Sequence, residues 1–142
     1  MASVVVDASV ALSWVLPGED TADLIALRDR AVDQPGMVLL VPSTFWYEVA
    51  NALWVAVRRQ RLSQEVAEQA LGVLRDFLFE EVGPDPGACL NTALQHEISV
   101  YDAAYLQVAV DTGSPLWTVD RALIRAGGRL NVPTEPCRPG QV

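Results

Sequence analysis

Four acidic residues stand where the chain could do chemistry. Asp7 directly follows the β-branched run Val4-Val5-Val6, and Asp120 directly follows Leu116-Trp117-Thr118-Val119. With those runs as parallel strands, both acids lie at strand carboxyl ends, where open α/β sheets hold their ligands. Glu48 sits inside the apolar stretch Phe45-Trp46-Tyr47-Glu48-Val49-Ala50-Asn51-Ala52-Leu53-Trp54, and helical spacing puts Phe45, Ala52 and Val55 on its face. No Lys or Arg stands one turn away at 44 or 52, so burying this carboxylate requires another partner, and Asn51 is spaced to hydrogen-bond it. Asp102 falls three residues after Ser99 in Ser99-Val100-Tyr101-Asp102.

Each acid alone has a purely structural reading. Asp7 and Asp120 can be helix N-caps, Ser99 to Asp102 resembles a capping box, and the Glu48 face can point to solvent with the aromatic residues on the buried side. Taken together, a strand end, the helix after the second strand, a helix start and another strand end can all face one sheet edge. Like charges gathered there repel, and divalent cations are the usual remedy. The set contains no Cys or His, so its donors are hard oxygens suited to Mg²⁺ or Mn²⁺ rather than zinc, with the Ser9 and Thr118 hydroxyls available in support. Carboxylates holding such ions are equipment for phosphodiester hydrolysis.

The elements that must position these acids alternate. Val4 to Val6 reads as a strand, Ala8 to Leu16 as a helix stopped by Pro17-Gly18, and Thr21 to Val32 as a second helix. Met37 to Val41 is the next strand, after which Pro42-Ser43 opens a helix, with Ser43 as N-cap, running to about Gln60. Ser63 caps a helix to about Phe77, Phe79 to Val82 is a short strand, and Asp85-Pro86 starts a helix to about His96. Ser99 begins a helix stopped by Gly113, Leu116 to Val119 is a strand, and Arg121 to Ala126 is a short helix closed by Gly127-Gly128. Val132 reads as an edge strand, and 133–142, with three prolines and Gly140, as a loosely ordered tail. The expected fold is α/β: a single domain over 1–132, three-layer α/β/α, with a central parallel sheet of four to five strands.

Composition narrows the chemistry. The 142 residues carry 18 acids against 10 basic residues, a net charge of -8, and all ten basic residues are Arg. Without Lys there is no Walker A loop, Schiff base or kinase strand lysine. His96, the single histidine, stands next to Glu97 in a polar stretch and reads as an exposed loop residue, which sets aside Ser-His-Asp and Cys-His catalysis. Cys89 and Cys137 form no CxxC pattern, and no apolar run approaches the ~20 residues of a membrane span. With no basic segment in Met1-Ala2-Ser3-Val4, the expected compartment is the cytoplasm, with no membrane association.

Val4-Val5-Val6-Asp7-Ala8-Ser9, Pro42-Ser43 followed by Glu48 and Asn51, Ser99-Val100-Tyr101-Asp102-Ala103 and Thr118-Val119-Asp120-Arg121 resemble, in order over almost the whole chain, the four signatures of PIN-domain ribonucleases. More narrowly the chain resembles VapC toxins of bacterial toxin–antitoxin systems. The resemblance implies a PIN-like fold and a Mg²⁺- or Mn²⁺-dependent endoribonuclease. Asp7, Glu48, Asp102 and Asp120 would form its acidic site, Asp7, Asp102 and Asp120 being the metal ligands, with Ser9, Asn51 and Thr118 in support. It also implies a growth-inhibiting toxin, a VapB-type antitoxin that blocks the site, and a second copy of the toxin as homodimer partner. Some members carry a further acid beyond the last one, where this chain has Arg121, Ala122 and Leu123.

An acidic protein needs local cations to meet RNA. Arg58, Arg59 and Arg61 cluster at the end of the Glu48 helix, and Arg121, Arg125 and Arg129 follow the last acid; either group can hold phosphates, though the first also suits the helix C-terminal dipole. Trp14, Trp46, Trp54 and Trp117 read as core or interface rather than base platforms. The Glu48 helix is apolar around most of its circumference, which calls for burial on more than one side and so for a protein partner. A haloacid-dehalogenase-type enzyme needs Asp where Ser9 stands and a Lys; a receiver domain needs the same missing Lys. The remaining alternative is a PIN-like interaction module without nuclease activity.

Overall fold

The computed structural model describes residues 2–140. Its first strand, β1 (Ser3–Val6), runs into helix α1 (Ala8–Ser13), then α2 (Ala22–Asp33), β2 (Val38–Pro42), α3 (Phe45–Arg58) and α4 (Gln64–Arg75). Strand β3 (Glu80–Val82), α5 (Pro86–His96), α6 (Val100–Thr112), β4 (Leu116–Thr118), α7 (Arg121–Arg129) and β5 (Thr134–Pro136) complete it. The strands form one sheet in the order β3-β2-β1-β4-β5, every adjacent pair parallel, between helical layers. Because β1 is central and the order reverses there, the carboxyl ends of β1 and β4 stand side by side, the position in which such sheets open a crevice.

Local sequence accounts for most boundaries. Thr21, Ser63, Asp85, Ser99 and Asp120 each accept a hydrogen bond from the backbone N–H three residues on, and Gly113 ends α6 at φ 64°, a left-handed value that costs glycine nothing. The expected Ser43 cap is not formed. Thr44 holds that position, and its hydroxyl goes to Glu48 instead of the helix backbone.

Buried aromatic rings tie the layers together. Trp117 meets Trp14 edge-on with ring centres 6.2 Å apart, Trp14 stacks on Phe77 at 5.1 Å, and Phe77, Phe79 and Phe45 continue the chain. Trp14 and Trp117 satisfy their indole N–H groups on Leu24 O and Glu135 Oε2, which is what lets them sit in the core. Trp54 is the exception: it is exposed, with the Arg58 guanidinium over its ring.

Three expectations need correction. Helix α7 is not closed at Gly127-Gly128 but runs through both to Arg129. A Cβ on Gly127 would meet Thr134 Cγ2 at 3.1 Å, and one on Gly128 would meet Pro139 Cγ at 2.7 Å, so these glycines admit the chain packed against the helix rather than stop it. That chain is the supposed loose tail: 134–136 forms β5, Thr134 is buried, and Pro133 O accepts from Leu116 N at 2.9 Å. Prolines are tolerated because an edge strand pairs on one side only. The expected tail residues 141 and 142 lie outside the described residues. Finally, His96 is no exposed loop residue: it ends α5 partly buried, with both ring nitrogens enclosed and unbonded to protein. Among the described residues no helix is long and apolar enough to cross a membrane, and Cys89 and Cys137 are free thiols.

Candidate active site

Asp7 leaves β1 and stands at the N-cap position of α1, but its side chain makes no cap hydrogen bond. Both Ser9 Oγ and Thr118 Oγ1 donate to its Oδ2 at 2.8 Å, and only 7% of the residue is exposed. Burial pushes its pKa up, the two hydroxyls pull it partly back, and the nearby charges of Asp102 and Asp120 push it up again. The capping explanation therefore fails for Asp7: its carboxylate is fixed by neighbours on β4 and α1 and feels the other acids.

Thr118, fully buried, also accepts from the Asp120 backbone N–H at 3.0 Å, so one hydroxyl sets the spacing between the two strand-end acids. Asp120 does cap its helix, through Oδ1 and Leu123 N. Capping engages one carboxylate oxygen and leaves the other available for a cation. Asp102 lies in the first turn of α6, where Ser99 Oγ accepts from its backbone N–H. Its pKa is raised, first by burial and then by repulsion from Asp120, with a hydrogen bond from Ser99 opposing.

Glu48 is half-buried and is held by two hydroxyls: Tyr105 donates to Oε2 at 2.7 Å and Thr44 to Oε1 at 3.2 Å. Burial raises its pKa, the two hydrogen bonds lower it, and the charges of Asp7 and Asp102 raise it. Asn51, expected to orient it, is exposed and makes no such bond; it lies along the same helix, whereas the groups holding Glu48 come from α6 and from the residue before α3. Tyr105 was not evident as a partner in the sequence, although it follows Asp102 by three positions and so shares its helix face. Fully enclosed, with Asp7 and Glu48 nearby, its phenol is held well above the ordinary range, chiefly by burial. It remains a proton donor to Glu48.

The acids thus influence one another across β1, β4, α3 and α6, yet among the described residues no group of three or more Asp, Glu, His or Cys side chains is gathered closely enough to hold a metal ion by itself. Mg²⁺ keeps several waters and is commonly held by one or two carboxylates plus substrate phosphate, so an open, all-oxygen edge fits it without a cage. The cost of the unneutralised edge is testable. Carboxylates with raised folded-state pKa values favour folding below the ordinary carboxylate range, and that advantage disappears as pH rises through the raised values. In chelator, the melting temperature of wild type is expected to fall by a few degrees relative to Asp102→Asn between pH ~4 and neutrality. Parallel melting curves for the two proteins would rule out the repulsion.

The arginines divide differently from their sequence clusters. Arg121, Arg125 and Arg129 are exposed at helical spacing along α7, a stripe beginning beside Asp120. Arg58 lies over Trp54 and Arg59 is exposed at the end of α3, while Arg61 lines a cleft of about 580 Å³ together with Ser9 and Val119. Of that first cluster, Arg61 is the member that shares a cavity with Ser9, which bonds Asp7, and with Val119, which precedes Asp120.

A parallel five-stranded α/β/α sheet with acids at its carboxyl edge is the architecture of a PIN domain. No family model matches the chain. It is 36% identical over 126 residues to Ribonuclease VapC3 of Pyrobaculum aerophilum, covering 84% of this chain and 90% of that protein. It is also 36% identical over 90 residues to Exonuclease VapC9 of the same organism, covering 62% of this chain and 67% of that one. The crystal structure of PAE2754 from Pyrobaculum aerophilum superposes with a TM-score of 0.68 at 25% identity, covering 88% of this chain and 79% of that one. VapBC2 of Rickettsia felis, solved with a DNA fragment from its promoter, shares the fold at a TM-score of 0.64 and 12% identity, covering 94% and 97%. The chain belongs to the VapC family of PIN-domain proteins.

Proposed function

We propose that the protein is a Mg²⁺- or Mn²⁺-dependent endoribonuclease acting as a growth-inhibiting toxin, neutralised by a VapB-type antitoxin. The observation that carries this reading is the Asp7 carboxylate, buried and bracketed by Ser9 and Thr118 while exposed to the charges of Asp102 and Asp120. Asp7, Asp102 and Asp120 would hold the ion, and Glu48, set by Tyr105 and Thr44, completes the acidic site. Bound there, a divalent cation supplies neutralisation of charge building on the phosphate and acidification of a water. The protein's own groups then have clear tasks. Ser9 and Thr118 fix Asp7, Glu48 is placed to take a proton from an attacking water, and Arg121 and Arg125, with Arg58, Arg59 and Arg61, hold RNA phosphates on either side.

The surface supports a partner. Trp54 on α3 is 58% exposed and lines a groove between α3 and α4 with Leu53 and Leu71, and Tyr47, 80% exposed, lines a separate cleft with Trp46 and Arg75. That groove suits the antitoxin. Leu90 and Leu94, one turn apart and exposed on α5, suit the second copy of a homodimer, which sedimentation at two concentrations checks. The domain proposed is the whole described chain, with β5 included.

The experiment is cleavage of a structured RNA pool by purified protein, with Mg²⁺ or Mn²⁺ against chelator, alongside Asp102→Asn. Cutting that requires metal, disappears in the variant and is suppressed by the cognate antitoxin is the expected result. Metal-independent cutting, or metal binding with no cutting of any RNA pool, would refute it.

A further inference from the structure

Beside the acids lies a second cavity, of about 280 Å³, at the carboxyl ends of β2 and β3. Pro42, Thr44, Pro84, Pro86, Val100 and Tyr101 line most of it. It borders the acidic site at two points: Thr44 is one of its walls and also donates to Glu48, and Val100 and Tyr101 immediately precede Asp102 on α6. Neighbouring strands stand about 4.8 Å apart, so the cavity lies within one or two strands of Asp7, the span of a single nucleotide's sugar and base.

The lining selects the ligand. None of its residues is charged, so a phosphate would find no cation there and a cation no carboxylate. The volume is just below the range of about 300–1,000 Å³ typical of ligand pockets, which suits one flat ring system. Tyr101 is 62% exposed, the condition for an aromatic face to stack on an incoming base rather than serve the core. Ser43, also in the lining, brings a hydroxyl able to meet a base edge.

We propose that this cavity is a nucleobase subsite, which receives the base of a nucleotide flanking the scissile phosphate and stacks it on Tyr101. It rests on the ribonuclease reading above and adds to it the element that selects where RNA is cut. The test uses the full chain, a short single-stranded RNA with one cut site, and abasic residues walked through the flanking positions. One abasic position is expected to raise KM about tenfold, and Tyr101→Ala to raise KM about tenfold on intact RNA with no further penalty at that position. Tyr101→Phe should behave as wild type. Gly83→Val gives an independent check. A Cβ at Gly83 meets only Ser43 Oγ at 3.5 Å, so the backbone tolerates it, while the added methyls enter the cavity and raise KM with little change in kcat.

Unchanged KM and an unchanged abasic profile in Tyr101→Ala, on RNA that wild type cuts, overturn the subsite and leave the nuclease reading standing. Wild type that neither cuts nor binds RNA overturns both. Tyr101→Ala that weakens self-association in sedimentation while leaving RNA kinetics alone makes the cavity a protein contact and also overturns the subsite.

Discussion

Asp7→Asn is expected to lower RNA cleavage about a thousandfold while leaving the fold intact. The side chains are nearly isosteric, and the Asn carbonyl still accepts from Ser9 and Thr118, so the local hydrogen bonds survive and only the charge goes. Removing one preorganised electrostatic group from an active site costs about 10²–10³ in kcat. Here the same change also removes a metal ligand, which places the effect at the upper end. Single-turnover cleavage at saturating Mn²⁺, with circular dichroism as the folding control, measures it. Activity within tenfold of wild type would mean that Asp7 is a structural residue, and the edge would have to work through Asp102 and Asp120.

The strand-end acids were legible because their cues are local. Asp7 and Asp120 each follow an apolar run by one residue, and caps at Thr21, Ser63, Asp85 and Ser99 are short-range hydrogen bonds that sequence spacing specifies. The alternation of strands and helices then dictated a parallel sheet. What escaped the sequence depends on contacts between distant segments. Glu48 takes its strongest partner from Tyr105, 57 positions away, so reasoning along one helix pointed to Asn51 instead. Gly127-Gly128 carries a local stop signal that packing overrides, because the chain at Thr134 and Pro139 must approach the helix closely. The proline content of 133–142 suggested disorder, yet an edge strand can use proline carbonyls as acceptors. The helix end at His96 was read correctly, but polar neighbours made the residue look exposed, whereas its ring nitrogens are enclosed.

Tyr105→Phe separates positioning from packing. The ring is fully buried and Phe preserves its shape, so the fold should survive: the lost hydrogen bond to the Glu48 carboxylate costs about 1.5–3 kcal/mol, and the Ala8 backbone group that also bonds the phenol loses that contact. The larger effect falls on Glu48, which loses the closer of its two hydroxyl donors. That hydrogen bond lowers the Glu48 pKa, so deleting it allows burial and the charges of Asp7 and Asp102 to raise it further. Partners that orient acidic groups around a metal site typically contribute 10–100-fold, and a loss of about that size in kcat is expected, with the acid limb of the pH profile moved to higher pH. Raising the pH should then recover part of the activity. Thr44→Val should move the profile in the same direction but less, since its bond is 3.2 Å rather than 2.7 Å. A residue that merely fills the core would lower the melting temperature and leave the pH profile where it is. Movement of that profile therefore distinguishes a hydroxyl that keeps Glu48 ionised from a ring that supports the sheet.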